Sequence, residues 1–284
     1  MRFDLRANSP DMMTSVYPFP GDEAISHDVY HRVIYGGYVT TTATLYGAAL
    51  AVGVPVDAET FERWKRVGAA AGLLDDFLDE SPDPAESQRL YDHGLASQID
   101  GPSYVSLPKW GDERLVPAVN LMITSASSLP ESKRLGLISA ARSIGRISLQ
   151  KTSAPNLKAY ISLLQQEAAD SNYLILNSAS EHMYHSPRFS VFSDWCKQAI
   201  LLGTLYDHAR DLRTDHRLGR TSVEPSLRNQ LKLGIHALRP FGNLMSSHTT
   251  RKASRAAIAA RIRYSPRPTK QMFKRTTPHD NQER

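Results

Sequence analysis

Two aspartate clusters carry the chemistry this chain can offer: Asp75-Asp76-Phe77-Leu78-Asp79, and Asp207-x3-Asp211-x3-Asp215 further along. In both, acids recur at four-residue spacing, which stacks carboxylates on one face of a helix, one turn apart. Like charges so placed destabilise a helix by ~0.2–0.5 kcal/mol per pair. A divalent cation would offset that repulsion. Mg²⁺ is the natural candidate, because it takes one or two carboxylates together with substrate phosphates.

Both clusters need helices to position them, and both helix patterns leave room beside the acids. The rows Val67-Ala71-Asp75-Asp79 and Gly68-Gly72-Asp76-Glu80 put small residues above the first cluster. The row Ala199-Gly203-Asp207-Asp211-Asp215 repeats the arrangement. Its three aspartates span ~12 Å of helix rise. Arg210, Arg213 and Arg217 form a separate row about 130° around the helix, so only Asp207 and Arg210 meet at neutralising spacing. Acids near the C-terminal end of the first helix also face the negative pole of its macrodipole. A cavity with a metal-binding rim follows from the pair of clusters, and a solvated acidic face is the plainer alternative for either alone.

The surrounding pattern is helical, with no sustained β alternation. Helices are expected over about Ile25–Gly53, then from an N-cap at Asp57 to Glu80, and over 83–97, 113–127, 130–149 and 156–180. Two more follow, one from a cap at Ser193 to Gly219 and one over 225–246. Residues 98–113 read as a loop able to act as a lid. The segment Val33–Val56 has no charged residue, but threonines and tyrosines dilute its hydropathy, so a buried central helix is expected and not a membrane span.

Composition assigns the remaining parts. The 284 residues suffice for a large core, and the single cysteine, Cys196, excludes an internal disulfide framework. Residues 1–22, with Pro10, Pro18 and Pro20, read as an extended arm. Residues 23–250 read as the helical domain. Residues 251–284 hold ten Lys/Arg against two acids, so the net charge of +5 comes from a basic, disordered tail.

The motifs resemble those of class I isoprenoid (terpenoid) synthases. Leu73-Leu74-Asp75-Asp76-Phe77-Leu78-Asp79-Glu80 is similar to their first aspartate-rich motif. Asp207-x3-Asp211-x3-Asp215-x3-Gly219-Arg220 is similar to their second metal motif, closest to the squalene/phytoene synthase branch. The resemblance implies an all-α bundle around a central apolar cavity and three Mg²⁺ holding an allylic prenyl diphosphate. Ionisation would release pyrophosphate, and the carbocation would become a cyclised or rearranged terpene. Asp75, Asp79, Asp207, Asp211 and Asp215 would be metal ligands, Asp76 would support them, and Arg220 would face the diphosphate. The helix over 156–180 lacks the Tyr/Gly pattern of the squalene/phytoene branch, which leaves head-to-head condensation as the alternative to cyclisation.

Beyond the motifs, Tyr35 and Tyr38 could form a π-face wall for a cation, with core packing as the plainer reading. Arg142 and Arg146, one turn apart, could sense pyrophosphate, and Glu167 and Asp170 could add a ligand or base. Both pairs read more simply as solvated faces. Glu181-His182-x2-His185 and His27-Asp28-x2-His31 raise a di-metal site but lack the Glu-x-x-His pairs that one requires. A non-enzymatic binding protein, using the basic tail on nucleic acid or anionic lipid, is the remaining alternative. The preferred reading is a cytoplasmic enzyme with no nucleic-acid partner; peripheral membrane contact through the tail and a homodimer both stay open.

Overall fold

The computed structural model describes residues 36–80, 83–96 and 114–264. Ten helices fill them, with no strand among the described residues. In chain order these are α1 (Gly36–Val52), α2 (Ala58–Glu80), α3 (Pro84–Ala96), α4 (Leu115–Ser127), α5 (Glu131–Thr152), α6 (Leu157–Asn177), α7 (Glu181–Tyr184), α8 (Phe189–Arg217), α9 (Leu227–Ser246) and α10 (His248–Tyr264). None is long and apolar enough to cross a membrane among the described residues.

The start of α2 is fixed by polar contacts that aim its acidic end. Asp57 caps the helix, its Oδ1 accepting from the Thr60 N–H at 2.7 Å. The other carboxylate oxygen accepts from Ser180, which itself caps α7. One turn on, Arg63 Nε donates to the Ser178 carbonyl at 2.6 Å and Trp64 Nε1 to the Ile175 carbonyl at 3.0 Å. Trp64 is thus a core residue with its N–H satisfied at the end of α6. These bonds tie α2 to the α6–α7 corner.

Three apolar clusters hold the bundle. Leu73, Leu74 and Phe77 of α2 pack with Leu115 and Val119 of α4 and Leu137 and Ile138 of α5. Leu45 of α1, Trp64 of α2, Phe192 and Trp195 of α8, and Ala253 and Ala257 of α10 form the second. Tyr160 and Leu164 of α6, Leu205 and Leu212 of α8, and Leu233 and Ala237 of α9 form the third. Because α8 contributes to the second and third, it runs the length of the packed body. Its register is therefore over-determined.

Two expectations need correction. Helix α8 begins at Phe189 after Arg188, so Ser193 lies inside it and not at its cap. Residues 251–264, the first part of the expected disordered tail, are helical: α10 runs to Tyr264 and buries Ala253, Ala257 and Ala260. Alanines three and four residues apart make a small face that lets α10 come close to α1, a signal that the count of basic residues hid. The arm over 1–22, the lid over 98–113 and residues 265–284 lie outside the described residues.

The α1–α10 contact yields a direct test. A Cβ at Gly47 would lie 2.9 Å from the Ala256 carbonyl oxygen and 3.0 Å from the Ala260 Cβ. Gly47→Leu should lower folding stability by ~1–3 kcal/mol in urea titration, as overpacking does. Gly242→Leu, whose Cβ would meet open space, should leave stability within about 0.5 kcal/mol or raise it through helix propensity. Equal stability of the Gly47 variant and the wild type would mean that α10 is not seated on α1.

Candidate functional site

A cavity of about 660 Å³ opens where α2, α5, α6 and α8 converge. Asp75 and Leu78 enter it from α2, and Lys151 closes one side from the end of α5. Tyr160 and Glu167 come from α6. From α8 come Gly203, Asp207, His208, Arg210, Asp211 and Asp215, followed by Arg220 from the turn. Asp75 of the first cluster and the three aspartates of the second, 132 or more residues further along, thus share one cavity.

The turn after α8 depends on Gly219, whose φ of +75° lies in the left-handed region. That conformation lets the Arg220 N–H donate to the Asp215 carbonyl at 2.8 Å. Arg220 is thereby brought back to the cavity lined by its preceding helix. Gly203 sits at the cavity wall, where an added Cβ would meet nothing within 4 Å. The small residue above the acids therefore contributes open space.

Cations hold the acids together. Lys151 Nζ donates to both oxygens of Glu167, at 3.2 and 3.0 Å, with little solvent access to either side chain. The same Nζ lies 3.4 Å from His208 Nε2. His208 Nδ1 is 2.9 Å from the Tyr160 hydroxyl and 3.8 Å from Asp215 Oδ2. Burial, with Asp215 adding to it, raises the Tyr160 phenol well above its ordinary range. Asp75 is open to the solvent of the cavity, yet the protein packed around it still desolvates its carboxyl. Burial therefore pushes its carboxyl above the usual carboxylate range; Lys151 opposes the rise and Glu167 adds to it.

Across the cavity Arg210 grips Asp211 through two bonds, Nε to Oδ1 at 2.9 Å and Nη2 to Oδ2 at 2.5 Å. It also reaches Asp207 at 3.4 Å. The bond from Arg210 draws the Asp211 carboxyl below its ordinary range, against some desolvation. The expected segregation of signs on α8 is corrected here. A long guanidinium side chain bends back onto its sequence neighbour, which helix-wheel spacing does not consider.

Other expected residues stand elsewhere. Asp76 turns from the cavity and pairs with Arg114, which donates to its Oδ2 at 2.8 Å and to its own carbonyl at 3.0 Å. Arg142 pairs with Asp92 at 3.2 Å and is not part of the cavity lining. The side chains of Asp79 and Tyr38, and the whole of Tyr35, lie outside the described residues. His182 and His185 are exposed on or beside the single turn of α7, and His27 and His31 fall outside the described residues.

Lys151 and His208 were not singled out by sequence reasoning, and Glu167 read as a solvated face. A weak signal existed for His208, which directly follows Asp207. For Lys151 there was none, since its role arises only when α5 meets α6.

The donor set can be tested against Mg²⁺. Among the described residues no three acidic, histidine or cysteine side chains converge closely enough to hold an ion alone. Mg²⁺ does not demand that, since it keeps waters and takes one or two carboxylates plus phosphate oxygens. Facing carboxylates mixed with Lys151, Arg210 and Arg220 suit a metal bound together with a polyphosphate. The lining is otherwise mostly polar, with Leu78, Leu149 and Leu218 as its aliphatic members. Comparison with protein-family models, with curated proteins and with solved structures returned no match.

The Lys151–Glu167 pair provides the test of this electrostatic arrangement. Lys151→Met should cost ~1–3 kcal/mol in urea titration, because it strands Glu167 among other acids. The Lys151→Met/Glu167→Gln double variant should recover most of that loss, giving a coupling of at least about 1 kcal/mol. Additive losses would mean that the pair is not coupled.

Proposed function

We propose that this cavity is the metal and diphosphate site of a class I terpenoid synthase. Its substrate would be a linear prenyl diphosphate, and its products pyrophosphate and a cyclised or rearranged terpene. One observation carries the reading: Asp75 of α2 and Asp207, Asp211 and Asp215 of α8 line the same cavity as Arg220. The cavity accounts for the charged end of the substrate. The resemblance of the two motifs, and not the lining, selects a prenyl group as the ester carried.

In this reading Asp75, Asp207, Asp211 and Asp215 hold Mg²⁺, with Asp79 alongside by its motif position. Bound Mg²⁺ supplies the charge neutralisation that makes diphosphate a good leaving group. Arg220 donates to diphosphate oxygens and orients the ester, while Lys151 stays on Glu167. Arg210, whose side chain is more than half exposed, would be able to turn from Asp211 to the substrate phosphate. Asp76 and Arg142 have no part in this, being committed to Arg114 and Asp92. Head-to-head condensation of two prenyl diphosphates is the second reading, favoured by the form of the Asp211-x3-Asp215-x3-Gly219-Arg220 segment.

Incubation with prenyl diphosphates of increasing chain length and Mg²⁺ should release pyrophosphate and yield an extractable hydrocarbon or alcohol. Asp75→Asn and Asp211→Asn should each lower turnover by on the order of 100-fold or more, as loss of charge stabilisation at a reacting centre does. Asp76→Asn should lose stability and far less turnover. No release with any chain length, or release that persists in EDTA, would reject the assignment.

A further inference from the structure

Helix α9 is apolar on two faces. One packs inward through Leu233, Ala237, Pro240 and Leu244. The other carries Leu227, Leu231, Ile235, Leu238 and Phe241, each 50–72% exposed, and runs on to Met245. At helix spacing these residues form a continuous stripe of ~27 Å along the outer surface. Isolated exposed leucines are ordinary, but a full-length stripe is not.

Charge identifies what it meets. Residues 227–264, which make up α9, α10 and their junction, hold eight Lys/Arg and no Asp or Glu. Arg228, Lys232 and Arg239 are exposed on α9, beside one edge of the stripe by helix register. On α10, which packs against α9, Ile258 and Ile262 are exposed, as are Arg251, Arg255 and Arg261. Apolar side chains flanked by cations, with no acid to repel lipid phosphate, make an interfacial amphipathic helix.

We infer that the outer face of α9, with the basic residues of α9 and α10, docks the protein on a membrane surface rich in anionic lipid. The apolar stripe enters the headgroup boundary and the cations take the lipid phosphates. Nothing spans the bilayer. The inference stands apart from the reading of the cavity, because no residue of the stripe lines it.

The test is co-sedimentation of the full chain with phosphatidylcholine vesicles prepared with or without phosphatidylglycerol. The protein should sediment with the acidic vesicles, weakly or not at all with the neutral ones, and less at high salt. The triple variant Leu231→Gln/Ile235→Gln/Leu238→Gln should bind acidic vesicles at least about tenfold more weakly, as should Arg228→Gln/Lys232→Gln/Arg239→Gln. Circular dichroism and melting should stay as in the wild type, since all six side chains are exposed. Failure of the full chain to bind acidic vesicles overturns the inference. So does a wild-type dimer that the leucine-stripe variant splits into monomers, which would make a second copy the occupant. Tight, salt-sensitive binding to an RNA or DNA oligonucleotide, unaffected by the stripe variant, also overturns it.

Discussion

Crowding of carboxylates around one cavity is the constraint on which the site depends. Asp75, Glu167, Asp207, Asp211 and Asp215 all reach it, from three different helices. Like charges brought to one cavity repel one another, less so where solvent screens the exposed Asp207 and Asp211. The protein answers with cations of different character, Lys151 and Arg210 among them. Lys151 is tucked between Glu167 and His208 with little solvent access, and it belongs to the scaffold. Arg210 is largely exposed, held by the acids that it neutralises and set over the Tyr206 ring.

That constraint explains why α2 and α8 are anchored far from their acids. Asp57, Arg63 and Trp64 bind the first turns of α2 to the α6–α7 corner, and Asp75 reaches the cavity from nearer its other end. Helix α8 is buried through Phe192, Trp195 and Cys196 near its start and through Leu205 and Leu212 beside the aspartates. Apolar packing thus supplies the stability that the acidic surfaces withdraw. The outward stripe on α9 is a different use of the same bundle, since α9 packs against α8 on one side and presents leucines to the surroundings on the other.

Much of the helical layout was legible, because apolar residues at three and four residue spacing leave a strong periodic signal. The cap at Asp57 and the stop at Gly219 were readable from side-chain chemistry that acts within a turn. Placement of Asp75 and the α8 aspartates on one cavity was suggested by matched motifs, whereas Lys151 and Glu167 were invisible as a pair. Their contact spans two helices and has no local trace. Asp76 shows the opposite failure, in which a motif neighbour is taken up by a distant arginine, Arg114. The segment from 251 was misjudged because its charge is conspicuous and its alanine face is quiet. Arg142 failed for the same reason as Asp76: its partner, Asp92, lies on another helix.

The account rests on metal and pyrophosphate sharing one site between α2 and α8. Crystals soaked with Mn²⁺ and inorganic pyrophosphate, with anomalous scattering recorded at the manganese edge, test this most directly. The account predicts manganese peaks between Asp75 and the Asp207–Asp211–Asp215 face, with pyrophosphate oxygens beside Arg220. Metal found only on the outer surface, or none while pyrophosphate binds elsewhere, would contradict it.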